Sequence, residues 1–164
     1  VFDVSALLDT LHAAGVEFVV VGGVAAFAQG VPVVTIDLDL VHRRDEANVA
    51  RLLEAMRALD AFARGRPGLV PGPDALRGTG HQLLQTRFGD LDLLGAIEDD
   101  LDYDALLPFT RVVAYHGHDL RLLSLDKLVE LKRRSTRDKD RARQPLLEAA
   151  LQAERARSKP NETT

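Results

Sequence analysis

Apolar residues recur at helical spacing in the first segment. Leu7, Leu8 and Leu11 fall on one face, and Gly15 follows as a stop, so a helix is expected over residues 3–14. The β-branched run VEFVVVGG then predicts a buried strand over 17–21 that ends in a glycine pair. VAAFAQG reads as a short helix stopped by Gly30, and TIDLDLV, from Thr35, as a second strand. Asp45 is placed to cap a long helix to about Phe62, with Val49, Leu52, Leu53, Met56 and Leu59 on its core face. Residues 63–80 are dense in Gly, Pro and Arg and read as a long loop holding at most one short strand or turn. Two extended pairs follow. One spans 81–87 and 90–94 and turns at Phe88-Gly89, and the other surrounds His116-Gly117-His118. Ser124 can cap a helix to about Arg134, a last helix starts near Asp138 and passes Gln152, and SKPNETT reads as a frayed tail.

This order predicts an α/β (α+β) fold: a mixed, twisted sheet flanked by helices, with a C-terminal helical segment. A single unit over 1–157 is expected, with an α/β core over 1–123, C-terminal helices over 124–157 and a disordered tail over 158–164.

TIDLDL carries a chemical problem. Strand side chains alternate faces, so Asp37 and Asp39 point the same way while Ile36, Leu38 and Leu40 point to a core. Adjacent carboxylates repel unless a proton or cation lies between them. Asp90 and Asp92 repeat the pattern on a later strand. A half-exposed acidic face explains either strand alone. Two such strands side by side would converge three carboxylates on one point, which suits a hard cation such as magnesium. Gly22-Gly23 lies between a strand and a helix, where a backbone without Cβ atoms can approach a phosphate. A lone glycine pair is usually only a tight turn. Apolar-Gly-Gly, a thirteen-residue gap and then Asp-apolar-Asp-apolar form a far more specific combination.

Composition narrows the classes. With 164 residues, 46% of them apolar, the chain can bury a real core. A net charge of −4 argues against a generally basic nucleic-acid binder, although residues 132–143 hold seven Lys or Arg against two Asp. The absence of cysteine removes disulfides, thiolate metal sites and cysteine nucleophiles. No apolar run reaches membrane-spanning length and no basic-then-apolar leader opens the chain, so no membrane partner and a cytoplasmic location are expected.

VGG…TIDLDL…GDLDLL resembles the nucleotidyltransferases of the DNA polymerase β superfamily. The tail LRLLSLDKLVELKRRSTRDKDRAR is similar to that of AbiEii-type toxins, above all the small mycobacterial Men-type toxins, through Leu131-Lys132 and Arg137-Asp138-Lys139-Asp140. The likeness covers most of residues 16–150 and lapses in the 63–80 loop. It implies that Asp37 and Asp39 bind two Mg2+ ions and that Asp92 completes the site and helps activate the attacking hydroxyl. It also implies that Gly22 and Gly23 hold a nucleoside triphosphate. Lys132, counted with the catalytic residues, then contacts the triphosphate together with Lys139 and the fork-shaped Arg137. The Men-type toxins further imply a tRNA 3′ end as acceptor, extended preferably with pyrimidine nucleotides such as CTP supplies, and a cognate antitoxin. The same chemistry on a small molecule (aminoglycoside-like) or a protein hydroxyl is the alternative. A non-catalytic nucleotide-binding module is a third reading. The chain departs from the family at Val33, where an Arg is usual, at Val24, where a Ser is usual, and at Arg143, where an Asp is usual.

Thr35 shares the strand face of Asp37 and is read as a nucleotide contact, and as a regulatory position where a phosphate would repel the anionic substrate. His116 and His118 lack a convincing third ligand and read as surface residues, as does His42. Arg64, Arg66 and Arg77 either rim the site or keep the loop soluble. Arg133, Arg134, Arg141 and Arg143 are equally a solvated face or an RNA-backbone contact. Asp90 is assigned to the turn after Gly89, and the acidic run 98–104 to a helix cap or a basic partner.

Overall fold

In the computed structural model, which describes residues 1–159, the first apolar period forms helix α1 (Val4–Ala13), capped by Asp3 Oδ1 accepting from Ala6 N at 3.0 Å. The β-branched run forms strand β1 (Phe18–Val21). The glycine pair does not precede the next helix but begins it, as α2 (Gly22–Ala28). Strand β2 (Asp37–His42) starts two residues later than expected. Thr35 and Ile36 therefore lie outside it, and Ile36 is 71% exposed instead of facing the core.

Helix α3 (Glu46–Ala58) ends before Phe62, which belongs to the two-residue strand β3 (Phe62–Ala63). Asp45 caps it by accepting from Asn48 N at 2.8 Å. The following loop contains, besides β3 at its start, a short helix α4 (Pro73–Arg77) that the Gly/Pro density concealed. Strands β4 (His81–Thr86) and β5 (Gly89–Leu94) form the first hairpin. Helix α5 (Tyr103–Leu106) lies between two 3-10 turns at Glu98–Asp100 and Leu107–Phe109. Asp102 caps it and also pairs with Arg44, so this acidic residue serves the fold. Strands β6 (Thr110–Tyr115) and β7 (His118–Leu123) form the second hairpin. Helices α6 (Leu125–Arg134) and α7 (Asp138–Ser158) close the chain and pack on each other. Ser158 is thus helical, and the rest of the expected tail lies, from residue 160, outside the described residues.

The strands form one mixed sheet in the order β3-β4-β5-β2-β1-β7-β6. β2 runs antiparallel to β1 and parallel to β5, and β1 runs parallel to β7. Register sorts the side chains. Leu38 lies beside Leu91, which faces Leu84, and Leu40 lies beside Leu93 and Val20. All six are fully buried on one face of the sheet. Burying a leucine or valine contributes roughly 1.5–3 kcal/mol, so a one-residue slip, which would invert this face, is excluded. The opposite face carries the acidic positions, because Asp37 lies beside Asp90 and Asp39 beside Asp92.

Polar groups fix the β1–β2 region as well. Asn48 is fully buried, accepts from Glu17 N at 2.8 Å and donates to the carbonyls of Glu17 at 2.9 Å and Arg43 at 2.8 Å. His42 is buried rather than on the surface, with Nε2 2.7 Å from Leu76 O, and burial lowers its pKa. His116 and His118 are exposed, His116 against Asp9 at 3.0 Å and His118 stacked on His12. Among the described residues no helix is long and apolar enough to cross a membrane.

Candidate active site

Three carboxylates meet where β2 and β5 lie side by side. Ligand oxygens of Asp37, Asp39 and Asp92 all fall within 4.8 Å of one another. Parallel pairing in register, from two Asp-Leu-Asp-Leu strands, is what brings them there. Asp92 is buried and the other two are partly so. Burial first, and then the negative charges of Asp37 and Asp92, raise the Asp39 pKa to about 7, while Lys139 pulls it down. Burial also raises Asp92, against the opposing pull of Arg64. Such a cluster is short of positive charge. Its all-oxygen donor set fits Mg2+, a hard cation that takes carboxylate ligands while keeping water and phosphate oxygens.

The glycine pair makes room for this cluster. Gly22 has φ +65°, and a Cβ there would collide with the Asp39 carboxylate. A Cβ on Gly23 would come within 2.9 Å of Thr35 Cβ and Oγ1. The side chains of β2 and of the segment before it thus press onto the start of α2, and only glycine permits the approach. Thr35 Oγ1 donates to Asp37 O at 3.0 Å and to Asp37 Oδ1 at 3.2 Å, so its observed contact is with a member of the acidic cluster.

A cleft of about 430 Å³ opens over the cluster. Gly22, Gly23, Asp37, Asp39 and Asp92 line it together with Lys132, Arg137 and Lys139. The basic wall is organised by Asp140, 1% exposed. Asp140 Oδ1 accepts from Lys132 Nζ at 2.7 Å, and Oδ2 accepts from Ser135 Oγ at 2.6 Å and Arg137 Nε at 2.8 Å. Burial pushes its pKa up, but the bonds from Lys132 and Ser135, with the charges of Lys132 and Arg137, hold it at about 2. Lys132 and Arg137 are thereby tethered to one buried carboxylate, with the Lys132 side chain largely covered and that of Arg137 still 67% exposed. His81, Leu83, Leu94, Ile97 and Glu98 also line the cleft, and Glu98 Oε1 lies 3.9 Å from Arg137 Nη2.

Two arginines whose role the sequence left open between site and solvent enter the site. Arg143 lines the cleft and donates from Nη2 to Val34 O at 3.1 Å, tying α7 to the segment that carries Thr35. Its position three residues beyond the Arg-x-Lys-Asp run was the available signal, and its neighbouring arginines masked it. Arg64, at the end of β3, donates from Nη2 to Asp92 Oδ1 at 2.5 Å and to Leu84 O at 3.2 Å. Its Nε lies 3.0 Å from Asp90 Oδ2 without alignment for a hydrogen bond. Asp90 is therefore an ion-pair partner as well as a residue near the turn.

No protein-family model matches the chain, and no curated protein matches it in sequence. Solved structures match its fold. The lincosamide antibiotic adenylyltransferase LnuA, bound to lincomycin, aligns with a TM-score of 0.56 at 12% identity, covering 88% of this chain and 94% of that one. ANT(2″)-Ia, in complex with adenylyl-2″-tobramycin, aligns at 0.57 and 16% identity, covering 93% and 92%. An antigenic nucleotidyltransferase-like protein from Paracoccidioides brasiliensis aligns at 0.55 and 17% identity, covering 92% and 74%. The chain has the nucleotidyltransferase fold.

Proposed function

We propose that the chain is a magnesium-dependent nucleotidyltransferase that moves a nucleoside monophosphate from a triphosphate, preferably CTP or another pyrimidine, to a tRNA 3′ end. One observation carries the reading: three carboxylates converge beneath a cleft whose other side is basic. Asp37, Asp39 and Asp92 would hold two Mg2+ ions, which would neutralise the charge that develops on the phosphate. Lys132, Lys139 and Arg137 bind the triphosphate, and Gly22 and Gly23 let it lie close to the cluster. Thr35 contacts the nucleotide beside Asp37. Asp92 orients the acceptor hydroxyl and takes up its proton, directly or through water. Residues 1–157 act as one unit, with a catalytic core over 1–123 and helices over 124–157 that supply the basic wall.

The toxin reading follows from the resemblance of the tail: transfer to tRNA in the cytoplasm blocks translation, and a cognate antitoxin restrains it. The charge run over 132–143 supports a polyanionic acceptor. A phosphate on Thr35 would set nearly two negative charges beside Asp37 and silence the site. Full activity of Thr35→Glu would dismiss this regulation.

A second reading, transfer to a small-molecule hydroxyl, is supported by the apolar residues Leu83, Leu94 and Ile97 in the cleft lining and by the two antibiotic adenylyltransferases of like fold. Parallel reactions with total tRNA, lincomycin and tobramycin, each with labelled triphosphate and Mg2+, separate the two. Label on tRNA alone supports the first reading. Label on an antibiotic alone replaces it with the second.

A further inference from the structure

Arg64 places a fixed positive charge against the carboxylate cluster. Its backbone is fixed by donation to Leu83 O at 2.8 Å, and the guanidinium reaches across β4 onto the acidic pair of β5. It takes one oxygen of Asp92, Oδ1, and lies against Asp90. A carboxylate oxygen of Asp92 also lies within 4.8 Å of ligand oxygens of Asp39 and Asp37. Four carboxylates on two adjacent strands thus have one guanidinium tethered among them.

We infer that Arg64 is a built-in counter-cation and positioning residue. It presents Asp92 to the metal by a single oxygen, and its charge weakens metal binding until a triphosphate adds negative charge. A guanidinium is suited to both tasks, because its planar fork engages two carboxylates and it never loses its charge. A lysine could supply the charge but not the two-point hold. The inference rests on the proposed metal site, and its test separates the two.

Mg2+ binding is measured by thermal-shift titration without nucleotide or acceptor, on the wild type, Arg64→Ala, Arg64→Lys and Asp39→Asn. Removing a positive charge hydrogen-bonded to Asp92 lowers the half-saturating Mg2+ concentration by about tenfold in Arg64→Ala. Arg64→Lys stays within about threefold of the wild type, because the charge remains. In a separate reaction with triphosphate, total tRNA as acceptor and saturating Mg2+, both variants transfer the nucleoside monophosphate and release pyrophosphate at least about tenfold more slowly, because Asp92 is no longer held. Unchanged or weaker Mg2+ binding by Arg64→Ala overturns the inference, since a purely structural arginine would loosen the site when removed. Wild-type pyrophosphate release by Arg64→Lys overturns the positioning role. If Asp39→Asn binds Mg2+ as the wild type does, the metal site itself is wrong, and the inference falls with it.

Discussion

Gly22→Ala separates the role of the glycine pair in folding from its role in the site. Gly22 has φ +65°, a conformation that costs an L-residue about 1–2 kcal/mol. The new Cβ would also meet the Asp39 carboxylate, and Asp39 Cγ and Cβ would lie 3.1 and 3.2 Å away. The cheapest relief rotates Asp39 out of its rotamer, at about 1 kcal/mol. The sum is about 2–3 kcal/mol, or a fall in Tm of about 5–10 °C for a chain of this size. Gly30→Ala is the matched control. Its φ is +91°, and nothing lies within 4 Å of the added Cβ. It should cost only the backbone strain, about 1–2 kcal/mol. Urea unfolding measures both costs, and a thermal-shift titration with Mg2+ measures the site. Gly30→Ala should keep the full Mg2+-dependent rise in Tm, and Gly22→Ala should lose it, because Asp39 has left the cluster. A Gly22→Ala protein that folds and keeps the wild-type Mg2+ response would refute the idea that this glycine exists to admit Asp39.

Other expectations can be checked on the same material. Asp140→Asn should lower stability at neutral pH by about 2 kcal/mol, the worth of a carboxyl held at about 2 instead of its usual 3.8. The folded pKa is depressed, so this stability is present above about pH 4 and disappears as pH falls through about 2; the gap between variant and wild type in acid unfolding should close over that window. The same variant should raise KM for the triphosphate, because Lys132 and Arg137 lose their anchor. Asn48→Ala leaves Glu17 N and Arg43 O without their side-chain partner, while Glu17 O keeps its bond from Arg43 N at 3.1 Å, and should cost about 2 kcal/mol by urea unfolding. Its Mg2+ response at a temperature where it is folded should match the wild type; a lost response would mean that the α3 junction shapes the cluster.

The sequence disclosed those parts of the molecule that depend on period. Two Asp-Leu-Asp-Leu strands declare which side chains share a face, and parallel pairing in register is enough to bring Asp39 beside Asp92. The Asp45 and Ser124 caps were equally plain, because each needs only a local oxygen before a helix. Arg64 could be named only as one of three loop arginines that either rim the site or keep the loop soluble, because a Gly/Pro-rich loop has no period and its fold hangs on a two-residue strand paired with β4. Asp140 looked like one charge in a basic run. Its burial depends on α7 packing against α6, a contact that no local pattern encodes. Ile36 failed for the converse reason: apolar alternation extended a strand past the point where pairing begins. The glycines pointed to the right place. A phosphate approach and a close carboxylate both demand a missing Cβ, and only the structure reveals the carboxylate.

The central claim is attack at the α-phosphate in a site held by Asp37, Asp39 and Asp92. The most direct test follows the phosphorus released from each nucleoside triphosphate, labelled at the α or the γ position, with Mg2+ and total tRNA. The account predicts pyrophosphate as the released product and α-label on the acceptor, both absent in Asp39→Ala and Asp92→Ala. Release of orthophosphate, or the same pyrophosphate release from those variants as from the wild type, would contradict it.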